Sequence, residues 1–299
     1  RLADMAVKPF KSYEEQISLL EVRGLAVPDH ARAREILKHH NYFRLSAYRF
    51  PFQDGPDRFL PGTSFDELWN LYCFDRGLRL LVGEACKSLE IAVRARWAYV
   101  LGELHGELAY EDPAVFRIVQ WHTQHLASLD AEIARSHEVF IQHYQRRHGM
   151  PRPPIWAACE VMSFGLLSRF FANIRQAKTR KRIARSYDLS ADGLESLLKH
   201  ASYLRNLCAH HSRLWNRSFT ITVSLPSAQP PGILHAIHRN PAAERLIYNS
   251  IVLLGHVMDV VSPASDWKLR LKTHLLTLNR PDYSEMGFPP GWESLPFWK

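Results

Sequence analysis

Apolar residues recur at steps of three and four along most of the chain, the spacing that predicts amphipathic α-helices. The longest such pattern follows Ser64 and Glu67, which are spaced as a helix capping box, and it continues to about Leu104. Its apolar positions are Leu68, Leu71, Tyr72, Phe74, Leu78, Leu81, Val82, Ala85, Leu89 and Val93. This pattern predicts one long helix with an apolar face.

Shorter helices are predicted on both sides of it. Ser12 and Glu15 form another capping box, and Asp29 is placed to cap a helix that ends near His40. Downstream, helices are predicted at about 119–148, 155–173 (weakened at Gly165), 179–187, 242–261 and 265–278. Ser190 is expected to cap a further helix that carries residues 205–211. The prolines of PRPP at 151–154 interrupt the pattern.

Only FTITVSL at 219–225 has the character of a strand, and the tail from 281 is too rich in Pro, Gly and aromatic residues to be regular. In that tail, Trp292, Phe297 and Trp298 are expected to pack onto the body. The predicted fold is all-α, with an N-terminal helical region at 1–63, a helical body at 64–280 and an irregular tail at 281–299.

Composition narrows the class of protein. The chain is 46% hydrophobic and 23% charged, as in ordinary soluble domains, and its longest apolar run, at 250–261, is interrupted by His256 and Asp259. We therefore expect no membrane span. The four cysteines are scattered without disulfide or CxxC spacing, which favours a reducing cytoplasm. A net charge of +8 favours a polyanionic partner such as nucleic acid.

The segment RNLCAHH at 205–211 places ionisable groups within a predicted helix. Asn206 and His210 are four residues apart and share a face, so the amide is expected to orient the imidazole, while Arg205 reaches the same site from the side. Cleavage of RNA by its own 2′-hydroxyl needs proton transfer, which suits histidine, and a bidentate phosphate ligand, which suits arginine. Such chemistry requires no metal or other cofactor. The alternative is a structural role, with Arg205 paired to Glu195 or Glu160.

The order of several segments resembles one known family. These are KSYEEQISLLEVRGL, NYFRLSAYRFPF, FLPGTSFDELWNLYCFDRGLRLL, PIWAACEVMSFGLLSRFF, LRNLCAHHSRLWNR and MGFPPGWESLPFW. Together they are similar to the Abi family of bacterial abortive-infection proteins, and Arg-x4-His resembles the motif of HEPN-fold ribonucleases. The resemblance implies a helical HEPN core, a toxin of anti-phage defence, RNA cleavage, and a homodimer that brings two motifs together. It assigns catalysis to Arg205, Asn206 and His210, with His211 also within the motif's spacing.

Basic residues elsewhere are candidates for holding RNA. They are Arg175, Lys178, Arg180, Lys181, Arg182, Arg185 and Arg213. A solvated helix face explains the cluster at 175–185 equally well. The alternative function is a non-catalytic module that uses this face to hold a structured, regulatory noncoding RNA.

Two further patterns have structural interpretations. Glu90 and Arg94 are an i, i+4 pair on the long helix, and if buried they are placed to support the motif. His122 and His125 lack the partners of a metal site, so we predict no metal there and a wet histidine-rich face instead.

Overall fold

The computed structural model describes residues 9–55, 57–228, 230–278 and 282–299. Within these ranges the chain forms thirteen α-helices and no β-strand, so the predicted all-α fold is confirmed. The chain divides after Gly77 into two compact units. The predicted boundary between body and tail, at 280/281, lies outside the described residues. No helix in the described ranges combines the length and apolar character needed to cross a membrane.

The N-terminal unit contains three short helices and the beginning of a long one. They are α1 (Tyr13–Val22), α2 (His30–His39), α3 (Tyr42–Ser46) and the start of α4 (Phe65–His105). The predicted caps are confirmed: Ser12 and Glu15 bond each other's backbone N–H, Ser64 and Glu67 do the same, and Asp29 accepts from the Arg32 N–H.

The C-terminal unit contains the rest of α4 and nine further helices. They are α5 (Val119–Arg135), α6 (Val139–His148), α7 (Ile155–Val161), α8 (Phe164–Ala172), α9 (Ala177–Ala184), α10 (Ala191–Ala209), α11 (Pro231–Leu234), α12 (Ile247–Val261) and α13 (Trp267–Leu275). Helix α10 packs against α8 and α9, and α5 packs against α7 and α8. Every residue of α12 from Ile247 to Met258 is buried, which makes this helix the centre of the core.

The tail after residue 281 packs onto this unit through its aromatic residues. It forms 3₁₀ turns at Tyr283–Met286, Trp292–Ser294 and Pro296–Trp298. Trp292, Phe297 and Trp298 are buried, and the Lys272 ammonium donates to the Trp298 carbonyl oxygen at 2.9 Å. The expectation that these three aromatics hold the tail is confirmed.

The predicted strand at 219–225 is wrong. In the described part of the chain this segment has no partner strand, and other groups satisfy its backbone. The Phe219 N–H donates to the Arg245 carbonyl, the Ser224 N–H donates to the Ser196 hydroxyl, and the Ile221 carbonyl accepts from the His200 ring. An apolar, β-branched run predicts extended backbone, but a strand also needs a neighbour.

Two predicted helices are each divided. The helix expected at 119–148 breaks at residues 136–138, where the Glu138 N–H bonds the Ser136 hydroxyl. The helix expected at 155–173 breaks at Met162 and Ser163 rather than at Gly165. In the second case the freed backbone groups have partners distant in sequence: Arg94 donates to the Met162 carbonyl at 2.6 Å, and the Ser163 N–H donates to Glu132 at 2.8 Å.

His122 and His125 do not form a wet face, so that interpretation is wrong. Both are buried, with 2% and 6% of their surfaces exposed. The His122 ring stacks on Phe116, and the His125 ring packs against Phe170. Imidazole has an apolar body, and here it serves as core packing. Among the described residues, no three His, Cys, Asp or Glu side chains are grouped to hold a metal ion.

Candidate functional site

The Arg-x4-His segment lies at the C-terminal end of α10. Ser190 caps the start of this helix by accepting from the Gly193 N–H at 3.0 Å, as predicted. The helix ends at Ala209, and the His210 N–H still donates to the Asn206 carbonyl at 2.9 Å. His211 has φ +56°, in the left-handed region, so the chain turns away there. Both histidines are exposed at the helix end.

Arg205 is held from two sides. Its Nη1 donates to the Asn206 side-chain oxygen at 3.1 Å, and its Nε lies 3.7 Å from a carboxylate oxygen of Glu90 on α4. The Arg205 side chain is 39% exposed, whereas that of Glu90 is only 7% exposed. One edge of the guanidinium is therefore anchored on a buried carboxylate while the group as a whole still reaches solvent.

Glu90 also binds a second arginine. Arg94 donates to Glu90 and to the Met162 carbonyl, which links α4, α10 and the break between α7 and α8. A buried carboxylate between two guanidiniums is costly to disrupt, because removing one charge leaves the others uncompensated. The pair predicted from the sequence thus lies beside the motif, with Glu90 buried and Arg94 partly exposed. Arg205 pairs with Glu90 rather than with Glu195 or Glu160.

The surroundings of Glu90 are dry. Helices α4 and α10 approach closely where Gly83 faces Cys208, since a Cβ on Gly83 would lie 3.6 Å from the Cys208 Cβ. Burial raises the pKa of Cys86 well above its ordinary value, and nearby Cys208 and Glu90 add to the effect. The Glu90 carboxylate therefore lies at the edge of the core, where water screens its ion pairs less than it screens pairs at the surface.

An open cleft of about 660 Å³ lies beside Arg205. Its walls are formed by Arg94, Glu132, Arg135, Ser136, Glu138, Phe140, Glu160, Val161, Met162, Ser163 and Arg205. Three guanidiniums and three carboxylates thus share the cleft. Nine of these eleven residues lie in or beside the two helix breaks, and helical periodicity predicted neither break, so the cleft could not be expected from the sequence.

The expected contact between Asn206 and the His210 ring is replaced by another. The Asn206 side-chain oxygen accepts from Arg205, its neighbour, and His210 lies one residue beyond the helix. Asn206 thus supports the guanidinium rather than the imidazole. Arg205 and His210 remain close in the chain, one anchored and one exposed.

The seven cations predicted to contact RNA are in different environments. Arg180 pairs with Glu195 at 3.0 Å and Arg182 pairs with Glu103, while Arg175 donates to the Phe116 carbonyl. Arg213 donates to the Asn216 carbonyl and lies over the Trp215 ring. Lys178, Lys181 and Arg185 are exposed, and no carboxylate of the described residues pairs with them. These three lie at i, i+3 and i+7, so they form a single stripe.

Sequence reasoning missed a cluster that follows the motif. The Thr220 hydroxyl donates to the Tyr203 hydroxyl at 3.4 Å, and the Arg217 guanidinium lies near the same oxygen. Burial raises the pKa of Tyr203, but the hydrogen bonds from Thr220 and Arg217 outweigh it, so the pKa lies below its ordinary value. Arg217 and Thr220 come after the end of α10, where helical periodicity no longer relates one residue to another.

Comparison with known proteins gives one match. The model of a family described as Abi-like protein matches residues 35–216, which is more than half of the chain and includes α4, the cleft residues and the Arg-x4-His segment. No curated protein and no solved structure matches the chain.

Proposed function

The chain belongs to the Abi-like protein family, and from this premise we propose that it is an abortive-infection endoribonuclease that cleaves RNA without a metal ion. The observation that carries the proposal is the placement of Arg205. Its guanidinium is anchored on buried Glu90, reaches the rim of a cleft, and precedes by five residues an exposed histidine. A fixed cation and an exposed imidazole, five residues apart in one chain, are the two groups that phosphodiester cleavage without a metal needs.

In the proposed reaction Arg205 binds the non-bridging oxygens of the scissile phosphate. The neutral imidazole of His210 takes the proton from the ribose 2′-hydroxyl, and the 2′-oxygen attacks phosphorus. The bond from phosphorus to the 5′-oxygen breaks, and that oxygen receives a proton from a second, protonated imidazole. The products are a 2′,3′-cyclic phosphate and a 5′-hydroxyl. Arg205 stabilises the extra negative charge of the pentacoordinate transition state.

The second imidazole is proposed to come from another copy of the chain. Each chain supplies one Arg205 and one His210, and both lie at an exposed helix end, where a two-fold axis can bring two such ends together. His211 is the other candidate for the second proton transfer. The homodimer is therefore part of the proposal, and RNA is its proposed substrate and partner.

The test is cleavage of labelled RNA by purified protein in the presence of EDTA. We expect fragments ending in 2′,3′-cyclic phosphate, and a loss of activity of at least about a hundredfold in His210→Ala and Arg205→Ala. The control is His235→Ala, which removes an exposed histidine that does not line the cleft. Intact RNA, or His210→Ala as active as the wild type, overturns the nuclease. Retained binding of intact RNA selects the non-catalytic RNA-binding module instead.

A further inference from the structure

Polar side chains that reach solvent continue along α10 away from His210. Tyr203, Asn206 and His210 lie at i, i+3 and i+7, so they fall on one face of the helix. Seven residues span about 10 Å along a helix axis. An RNA strand whose scissile phosphate lies at His210 and which follows this face therefore reaches Tyr203 with a neighbouring part of its backbone.

At that point the structure gathers hydrogen-bond donors. The Tyr203 oxygen accepts from the Thr220 hydroxyl and lies near the Arg217 guanidinium, so the phenolic proton is directed elsewhere. Tyr203 and Arg217 are half-buried and Thr220 is exposed, so a ligand reaches them from solvent. Within the described ranges no carboxylate pairs with the Arg217 guanidinium, and its positive charge is uncompensated. The lowered pKa of Tyr203 makes its O–H a stronger donor toward an anion.

The cluster is also fixed in place. Phe219 is buried, its N–H donates to the Arg245 carbonyl at 2.8 Å, and the Arg245 guanidinium returns a bond of 2.8 Å to the Phe219 carbonyl. These contacts hold Thr220 against α10 without any ligand. A preorganised set of donors binds an anion at a lower entropic cost than a mobile one.

We propose that Arg217 and Tyr203, with Thr220 holding the Tyr203 hydroxyl in place, form a second phosphate-binding subsite, which holds a backbone phosphate of the RNA adjacent to the one bound by Arg205. The subsite rests on the proposed function. It extends that function by specifying a substrate longer than the cleaved linkage, bound as a strand along the exposed face of α10.

The test removes one phosphate charge at a time. The substrates are short strands with a single 2′-hydroxyl as the cleavable position and one neutral methylphosphonate, moved step by step along the backbone. For the wild type we expect one neighbouring position at which the methylphosphonate raises KM by about tenfold, the size of one charge-assisted hydrogen bond. Arg217→Gln is expected to raise KM for the unmodified strand by a similar factor and to abolish the penalty at that position.

The controls separate binding from folding. Arg239→Gln removes an exposed arginine that bonds the Pro226 carbonyl, a few residues after Thr220. We expect this variant to keep the wild-type KM and the methylphosphonate penalty at the same position. Tyr203→Phe keeps the ring packing and removes only the hydroxyl, so we expect a smaller rise in KM with an unchanged Tm. If the methylphosphonate penalty persists undiminished in Arg217→Gln, or if that variant raises KM equally for every strand, the cluster only anchors residues 216–220 and the subsite is overturned.

The same combinations of protein variant and methylphosphonate strand, measured as binding instead of cleavage, distinguish this inference from the proposed function. Fully 2′-O-methylated strands cannot be cleaved, so their Kd reports binding separately from cleavage. Coupling between Arg217→Gln and one methylphosphonate in Kd, without cleavage of any RNA, supports the subsite and rejects the nuclease. Cleavage without coupling supports the nuclease and rejects the subsite.

Discussion

At the scale of single residues, the site depends on one buried carboxylate more than on the motif itself. Arg205 reaches the cleft because Glu90 holds one edge of its guanidinium, and Glu90 is in turn held by Arg94. The sequence predicted that Glu90 and Arg94 would pair, since i, i+4 spacing places them on one face. It gave no distance to Arg205, because the contact joins residues 115 positions apart through the packing of α4 on α10.

Glu90→Gln tests this dependence with little change of shape. The substitution leaves two guanidiniums beside a neutral amide in a dry region, so we expect the free energy of unfolding to fall by about 3 kcal/mol. RNA cleavage is expected to fall as well, because Arg205 loses its anchor. Urea denaturation measures the first effect and the cleavage assay the second.

Glu103→Gln is the matched control for Glu90. Glu103 lies on the same helix and pairs with Arg182 at the surface, where ion pairs contribute about 1 kcal/mol or less. Equal losses of stability in the two variants would contradict the role given to Glu90. The ion pairs of Glu90 would then contribute no more to stability than ordinary surface pairs.

At the scale of helices, local chemistry predicted where elements begin better than where they break. The caps at Ser12, Ser64 and Ser190 follow from side chains that bond backbone groups within three residues. The break at Met162 and Ser163 could not be predicted, because its partners Arg94 and Glu132 are distant in sequence. Both helix breaks line the cleft, so the sequence located the motif and missed the cavity beside it.

His200 joins three elements and gives the fold a pH dependence. It lies on α10, and its ring bonds the Ile221 carbonyl of segment 219–225 at 2.7 Å and the Ser250 hydroxyl of α12 at 2.7 Å. Burial lowers the pKa of His200 to about 4. In the unfolded chain this ring takes up a proton as the pH falls below the ordinary histidine pKa near 6.5. In the folded chain it takes up a proton only as the pH falls to about 4. Stability is therefore full above pH 6.5 and is lost as the pH falls toward 4, by about 3 kcal/mol.

Urea denaturation between pH 4 and pH 8 measures this effect. Because His200→Gln has no titrating group at the position, we expect its stability to depend less on pH than that of the wild type, even though its stability at pH 8 is also lower. His137→Gln removes an exposed histidine and is expected to keep the wild-type slope. An unchanged slope in His200→Gln would assign the acid sensitivity to other groups.

At the scale of the whole chain, the basic net charge is distributed unevenly between paired and unpaired groups. The cluster at 175–185 looked uniform in sequence, with six cations in eleven residues. Folding turns Arg180 toward Glu195 on α10, and helical spacing places Lys178 and Lys181 of α9, with Arg185 directly after its end, on another side. Helical spacing already groups these three, but only the ion pairs of α9 with α4 and α10 identify which cations remain for a partner.

The salt dependence of RNA binding distinguishes the two groups of cations. Each phosphate contact with a single strand adds about 0.7 to the slope of log Kd against log salt. The triple variant Lys178→Gln, Lys181→Gln, Arg185→Gln is therefore expected to lower that slope by about two. The double variant Arg180→Gln, Arg182→Gln removes cations whose charge is already compensated by Glu195 and Glu103, so we expect less than half of that change. Titration of a labelled single strand at several salt concentrations measures both. The same slope change per charge removed in the two variants would show that RNA responds to the net charge of the protein and makes no contact with the stripe.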